Sequence, residues 1–181
     1  RRLYKNLTRG RTTKVEYLIA QGFTTGPSGG RDLDFSPDGN HVAVFARRER
    51  GRSLVLLDVL DGGIDRMIDI PLPMDQPMNP AFHPDGDRVA FKAIADGRYD
   101  IYVLDLTTEE ITNITDDAAY DSSPVFSPDG RTLVYSSNDG GASKLVRLEL
   151  DSPGNRDQLT FGPGHDVGAA FSADGERLYF A

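Results

Sequence analysis

Short apolar runs recur along the chain, and none of them alternates regularly between apolar and polar residues, as a strand with one solvent-exposed face does. They are rich in β-branched and aromatic residues, which favours strands covered on both faces. No stretch has the apolar period of an amphipathic helix. The pattern therefore predicts an all-β protein. The four clearest runs are Val42–Phe45, Val89–Phe91, Leu133–Tyr135 and Leu178–Phe180.

One turn sequence precedes each of these runs, as Ser36–Gly39, His83–Gly86, Ser127–Gly130 and Ser172–Gly175. The Asp residues of successive turns are 47, 44 and 45 positions apart. A period in this range is typical of repeat architectures, in which one unit is too small to bury its own apolar faces. Asp can accept hydrogen bonds from its own turn, and Gly accepts the positive φ that closes a tight hairpin. We predict structural roles for Asp38, Gly39, Asp85, Gly86, Asp129, Gly130, Asp174 and Gly175.

A second signal lies at a fixed distance from each turn. An acidic residue follows the turn Asp by twenty positions, at Asp58, Asp105 and Glu149, near the end of the third predicted strand. The register inside a unit is therefore constant. Four antiparallel strands per unit, stacked around an axis, predict the blades of a β-propeller. The alternative, a β-sandwich of similar hairpins, would not require the same turn and the same offset in successive units.

The repeats divide the chain into three complete blades and parts of two others. The expected divisions are 1–8 as the last strand of a preceding blade, 9–30 as an inserted connection, 31–70, 78–115 and 122–160 as blades, and 169–181 as the first two strands of a further blade. Closed propellers have about four to eight blades, so we expect this chain to be a piece of a longer propeller. Apolar terminal faces would then favour self-association.

Composition narrows the range of functions. The formal net charge is −8, which argues against binding to a nucleic-acid backbone as the main activity. The chain has no cysteine, so disulfides and thiolate chemistry are excluded. No apolar run approaches the length of a membrane-spanning segment, and we expect no direct membrane insertion.

Several of these segments together resemble a known repeat. They are Asp121, the phrase Pro124–Arg131, the strand Ile101–Leu106 and the closing pair Ile114–Thr115. They resemble the repeats of TolB-like β-propellers, which occur in the periplasmic TolB protein, in other bacterial envelope proteins and beside the hydrolase domains of some serine peptidases. The resemblance implies a β-propeller in a periplasmic or cell-envelope protein of bacteria, a location suited to binding protein partners.

Antiparallel topology places the loops on two rims. The Asp-Gly turns share one rim, and the hairpins between second and third strands share the other with the connections between blades. Closely spaced Arg residues on this second rim could bind an acidic partner, although a solvated hairpin tip is the interpretation we favour. The acidic loops, including Asp116 and Asp117, could hold a divalent cation, but ordinary turn chemistry is the interpretation we adopt, with no metal site or cofactor. The candidate binding-rim residues are Arg47, Arg48, Arg50, Arg52, Asp121, His165 and Asp166. We expect His83, in the Ser position of its turn, to be a local surface residue.

The motifs of catalysis are expected to be missing. We expect no Gly-x-Ser-x-Gly nucleophile elbow, no His-Glu-x-x-His zinc motif and no phosphate-binding glycine loop. The sequence therefore predicts a module without catalytic residues of its own, used for protein–protein interaction or substrate gating in a larger bacterial envelope protein. Two alternatives remain open. One is the propeller of a prolyl oligopeptidase-like or dipeptidyl peptidase-like enzyme whose hydrolase domain lies elsewhere, and the other is a polysaccharide lyase with a metal in its channel.

Overall fold

The computed structural model describes residues 33–48 and 51–181, together with all their side chains except that of Arg48. The elements of these residues are all strands, as the apolar pattern predicted. Within the described ranges no helix is long and apolar enough to cross a membrane. The strands are β1 Leu33–Phe35, β2 His41–Arg48, β3 Gly51–Asp58, β4 Ile64–Ile70, β5 Asp75–Phe82, β6 Arg88–Ala95, β7 Arg98–Asp105, β8 Ile111–Asn113, β9 Tyr120–Phe126, β10 Thr132–Asn138, β11 Lys144–Glu149, β12 Ser152–Gln158, β13 Ala170–Phe171 and β14 Leu178–Tyr179.

These strands form antiparallel meanders in chain order. The sheets are β1-β2-β3-β4, β5-β6-β7-β8 and β9-β10-β11-β12, and β13 pairs with β14 in a fourth. The predicted four-stranded unit is confirmed. The predicted strand at 1–8 and the inserted connection at 9–30 lie outside the described residues.

Hydrogen bonds within each turn explain why its sequence repeats. In the first turn the Ser36 hydroxyl donates to the Asp38 carboxylate at 2.5 Å, and the Asn40 N–H donates to the same oxygen at 3.0 Å. Gly39 has a φ of +73°, a conformation that L side chains rarely adopt. The third and fourth turns repeat the Ser-to-Asp bond at 2.6 and 2.5 Å. Each turn therefore sets the register of the hairpin that follows it.

Apolar side chains fill the spaces between neighbouring sheets. Along β3, Leu54 and Leu56 pack toward the second sheet, where they join a cluster that includes Phe91 and Leu104. The next cluster joins the second sheet to the third through residues such as Leu133. Because both faces of the middle sheets are covered, their strands read as nearly continuous apolar runs in the sequence.

The first strands of the units lie side by side in chain order, so that β5 lies between β1 and β9, and β9 between β5 and β13. Backbone atoms take part in these contacts. The Phe82 N–H donates to the Asp34 carboxylate at 2.7 Å and so ties the first unit to the second. A row of first strands with sheets stacked beside it is the arrangement of a propeller.

His83 is buried, with 5% of its surface exposed, so the expectation of a surface residue is wrong. Its Nε2 lies 2.8 Å from the carbonyl oxygen of Gly130 in the next turn, and the two atoms form a hydrogen bond. The imidazole also packs edge-on against Phe126, with ring centroids 4.8 Å apart. The His83 side chain thus crosses between units and also accepts a hydrogen bond from the Asp85 N–H in its own turn at 3.2 Å, whereas the Ser of the other turns bonds only within its own turn.

Gly130→Ala should lower the free energy of unfolding more than Gly39→Ala does. The two glycines have nearly the same φ, +72° and +73°, so the backbone strain of the two substitutions is matched. A Cβ at Gly130 would lie 2.5 Å from the His83 ring, whereas a Cβ at Gly39 would meet nothing within 4 Å. We expect the free energies of unfolding of the two variants, measured by chemical denaturation, to differ by about 1–3 kcal/mol. Equal losses would contradict the packing of His83 against this turn.

The turn carboxylates should make the free energy of unfolding depend on pH in the acidic range. Hydrogen bonds from the Ser36 hydroxyl and the Asn40 N–H lower the pKa of Asp38 from 3.8 to about 2. A lowered folded-state pKa means that the stabilisation is complete above the ordinary value and is lost as the pH falls toward 2. Between about pH 5 and pH 2, the free energy of unfolding of Asp38→Asn should therefore fall by less than that of the unmutated protein. Asp139→Asn, in the β10–β11 hairpin, is the control and should follow the parent curve. An unchanged slope for Asp38→Asn would refute the coupling.

Candidate binding rim

The loops lie at the two ends of the sheets, as the topology predicted. We call one end the connection rim and define it by the β6–β7 and β10–β11 hairpins and the connections 71–74, 114–119 and 159–169. The opposite end, the turn rim, carries the Asp-Gly turns. Leu60, in the loop between β3 and β4, belongs to the turn rim, because the neighbouring Val59 N–H donates to the Asn40 carbonyl at 2.8 Å.

At the connection rim, ion pairs join the third strands to the connections or, for Asp75, to the first residue of the next strand. Arg52 contacts Asp75 at 2.6 Å, Arg98 contacts Asp116 at 3.1 Å, and Lys144 contacts Asp166 at 2.7 Å. The Arg52 and Lys144 hydrogen bonds lower the pKa of Asp75 and Asp166 respectively. Arg52–Asp75 and Arg98–Asp116 are largely exposed pairs and stabilise little individually, whereas Lys144–Asp166 is more buried. Each pair holds the chain after one unit against that unit.

The predicted rim residues have different environments. Arg47 is exposed, and His165, also exposed, accepts a hydrogen bond from the Ser143 N–H at 3.0 Å. Arg52 and Asp166 are engaged in the ion pairs described above. Arg50 and the side chain of Arg48 lie outside the described residues. Asp121 belongs to the same end of the molecule, but its side chain is buried with 0% exposure, so it is not a surface contact.

Asp121 lies in a cluster of three carboxylates. One oxygen each from Asp100, Asp117 and Asp121 lies within 4.8 Å of the other two. Burial, together with the two neighbouring carboxylates, raises the pKa of Asp121 to about 6, although the Ser137 and Thr115 hydroxyls act in the opposite direction. Among the described residues, such a carboxylate cluster occurs only at the second connection.

A second cluster lies beside it and is formed by Lys92, Tyr99 and Tyr120. The tyrosine rings are 4.5 Å apart between centroids, and the Lys92 ammonium lies 5.2 Å and 5.3 Å from them. Lys92 Nζ also donates to the Tyr120 hydroxyl at 3.1 Å. Lys92 is buried, while 43% of Tyr120 is exposed, so a buried cation fixes an exposed ring at the rim.

Large apolar side chains are also exposed in the connections of this rim. Leu72 is 83% exposed in the first connection, and Phe161 is 75% exposed in the third. Tyr120 begins β9 directly after the second connection. Each described connection therefore brings an apolar or aromatic group to the same end of the molecule, which is a common property of protein-binding surfaces.

Lys92, Tyr99 and Asp100 were not among the predicted site residues. Asp100 had a recognisable signal, because it follows the turn Asp by fifteen positions, as Ser53 and Lys144 do in their units. Lys92 was detectable as a cation inside an apolar strand. Their importance depends on which residues lie opposite them in the neighbouring unit, and the spacing along one unit does not contain that information.

One expectation about motifs needs correction. Gly26-Pro27-Ser28-Gly29-Gly30 matches the letters of the Gly-x-Ser-x-Gly motif. A nucleophile elbow places its Ser in a turn between a strand and a helix. The match lies outside the described residues, and the first described element after it is the strand β1, which begins at Leu33. The letters alone do not establish a catalytic role, so the absence of catalysis stays a prediction.

Comparison with known proteins identifies the repeat. A family model described as the TolB β-propeller domain matches residues 32–181. An uncharacterized protein of Agrobacterium fabrum is 30% identical over 120 residues, which are 66% of this chain and 40% of that protein. The Tol-Pal system protein TolB of Hydrogenovibrio crunogenus is 43% identical over 74 residues, which are 41% of this chain and 17% of that protein. The chain thus spans less than half the length of these relatives.

Solved structures give the same result. The crystal structure of TolB from Acinetobacter baumannii superposes with a TM-score of 0.72 at 26% identity, covering 82% of this chain and 36% of that one. The structure of a putative TolB from Agrobacterium tumefaciens gives 0.74 at 26% identity, covering 86% of this chain and 56% of that one. The predicted propeller fold and its TolB-like repeat are confirmed.

No serine of residues 1–181 should react with a fluorophosphonate probe, because the described residues provide no activated nucleophile with a base and an orienting group. The full-length protein should be labelled, digested and mapped by mass spectrometry, with a serine hydrolase as the positive control. Stoichiometric labelling of Ser28 would show that the Gly-x-Ser-x-Gly match is functional.

Proposed function

Because this chain belongs to the TolB β-propeller domain family, we propose that it is a non-catalytic module that binds protein partners through the connection rim. We propose also that the longer protein containing this chain lies in the bacterial envelope, in the periplasm. A relative that is a Tol-Pal system protein supports this proposal. The chain covers only part of that relative, so the location and the partners of the parent protein are part of the proposal.

The exposed Tyr120 ring is the observation that carries the choice of rim. A tyrosine offers a large apolar face and a polar hydroxyl at a small entropic cost, which is why tyrosines are frequent at the centres of interfaces. Lys92 and Tyr99 hold this ring in place before any partner arrives. Preorganisation of this kind reduces the entropy lost on binding.

The charges around Tyr120 would select the partner. Arg98 and Asp116 are exposed beside the ring in the neighbouring hairpin and connection, and they are paired with each other at 3.1 Å. Exposed charges contribute more to the association rate and to orientation than to affinity. The Arg47 side chain adds a further exposed cation at the end of β2. A protein segment with an apolar anchor and flanking polar groups fits this surface.

Other classes of ligand are less well supported. The net charge of −8 disfavours a phosphate backbone. The predicted binding-rim residues Arg47, Arg52, His165 and Asp166 lie at the same end of their units. Their contribution to binding, and that of Arg48 and Arg50, is part of the proposal.

A photo-reactive phenylalanine analogue introduced at position 120 should form covalent adducts with a protein partner in cells of the native host. The full-length protein should carry the analogue, and the adduct should be identified by mass spectrometry. Position 60 is the matched control, because Leu60 is 83% exposed on the turn rim. Adducts at position 60 and none at position 120 would contradict the choice of rim.

Tyr120→Ala should then weaken binding of the identified partner by about tenfold or more, as truncation of a central aromatic side chain does at other interfaces. Leu60→Ala should leave the affinity within about twofold of the parent value. Equal affinities for Tyr120→Ala and the parent protein would show that the ring does not contribute to the interface.

A further inference from the structure

Asp100 and Asp121 face each other across the contact between the second and third units, and both are almost completely buried, at 1% and 0% exposure. Their carboxylates form one cluster with that of Asp117, in which one oxygen from each residue lies within 4.8 Å of the other two. From this juxtaposition we infer that Asp100, Asp117 and Asp121 form a binding site for one divalent cation, Ca²⁺.

The next unit of the repeat has an ion pair at the positions equivalent to Asp100 and Asp121. Asp121 lies eight positions before its turn Asp, and Asp166 does the same in the following unit. Asp100 lies fifteen positions after its turn Asp, and so does Lys144. Lys144 Nζ donates to Asp166 at 2.7 Å. The contact between the third and fourth units thus has an ammonium where the preceding contact has a second carboxylate. In that preceding contact the Arg156 guanidinium pairs with Asp117 rather than with Asp121.

The hydrogen bonds of Asp121 give an independent observation. Both of its carboxylate oxygens are buried, and neither accepts a hydrogen bond of good geometry in the described part of the chain. The Ser137 and Thr115 hydroxyls lie near enough to lower the pKa of Asp121, but the Thr115 hydroxyl donates to Asp100. A buried carboxylate without partners is costly, so such groups are normally paired or coordinate a metal ion. Asp100 is better satisfied, since it accepts from the Asn113 amide at 3.0 Å and from the Thr115 hydroxyl at 3.4 Å. Asp121 is therefore the group that most requires a ligand.

The charges balance for a divalent ion. Three carboxylates carry three negative charges, and Arg156, which forms an ion pair with Asp117, supplies one positive charge. Two negative charges remain for the bound cation. Arg156 also donates to the Thr115 carbonyl, so this part of the second connection is fixed in place beside the cluster.

The donor atoms and the degree of burial select Ca²⁺. All three ligands are hard oxygens, which suit Ca²⁺ or Mg²⁺ better than the softer transition metals. Ca²⁺ binds oxygens at about 2.3–2.6 Å, so ligands on opposite sides of it can be about 4.8 Å apart. Mg²⁺ requires shorter octahedral distances and usually keeps several waters, which two nearly buried carboxylates leave little room for.

Isothermal titration calorimetry of the chelator-treated full-length protein with CaCl₂ measures the site directly. The parent protein should bind one more equivalent of Ca²⁺ than Asp121→Asn, with a Kd of about 10⁻⁵ to 10⁻³ M. Ca²⁺ should also raise the Tm of the parent protein in proportion to its occupancy, and this rise should be missing from Asp121→Asn.

Two further variants separate loss of the site from loss of the fold. Asp100→Lys reproduces the Lys144–Asp166 pair, so it should have a Tm in chelator at least as high as that of the parent protein, and it should not respond to Ca²⁺. Asp166→Asn removes the equivalent carboxylate of the next unit and should leave the Ca²⁺ response intact. These opposite results would assign the site to the contact between the second and third units.

Three results would overturn the inference. One is equal Ca²⁺ stoichiometry for the parent protein and a folded Asp121→Asn variant. Another is a parent protein that binds no Ca²⁺ at about 10 mM, well above the weakest affinities of natural sites. The third is tighter binding of Mg²⁺ than of Ca²⁺ at this stoichiometry, which would disprove the choice of ion.

Discussion

The structure depends on the burial of each sheet against its neighbours. A single four-stranded meander has two apolar faces, and residues that alternate along one strand, such as Leu54 and Val55, are both fully buried. The contact between units is therefore the stabilising element, since one unit cannot bury its own faces. Polar links reinforce it at particular points, including Phe82 N–H to Asp34 and His83 to Gly130. The turn sequence repeats because each turn sets the register between the first two strands of its sheet.

Given that packing, a few positions decide the chemistry between units. The residue fifteen positions after the turn Asp differs between the units, as Ser53, Asp100 or Lys144, and so do its partners. Ser53 donates to Asp69 within its own sheet, whereas Lys144 reaches Asp166 in the following connection. Asp100 meets Asp121 instead. Tyr120 immediately precedes Asp121, so ordering of this contact and presentation of the exposed ring are properties of the same short segment.

The sequence was sufficient for the features that repeat. The turn period and the twenty-residue offset predicted antiparallel four-stranded units, and the topology placed the hairpins and connections at one end. The sequence was insufficient where residues of different units meet. Asp121 was predicted as a rim residue, and its burial became evident only from its position opposite Asp100. His83 looked like a Ser substitute, and its bond to Gly130 crosses 47 positions of sequence. Such contacts follow from the stacking angle between sheets, which no local pattern specifies.

The central claim is that a cation replaces the missing ammonium where Asp100 meets Asp121. A crystal of the full-length protein grown with Ca²⁺ and measured at a wavelength where calcium scatters anomalously tests it most directly. We predict an anomalous peak between the three carboxylates, about 2.3–2.6 Å from an oxygen of each. No such peak is expected between Lys144 and Asp166. An empty cluster with Asp121 hydrogen-bonded directly to Asp100 would contradict the claim, because a proton shared between the two carboxylates would then satisfy the contact.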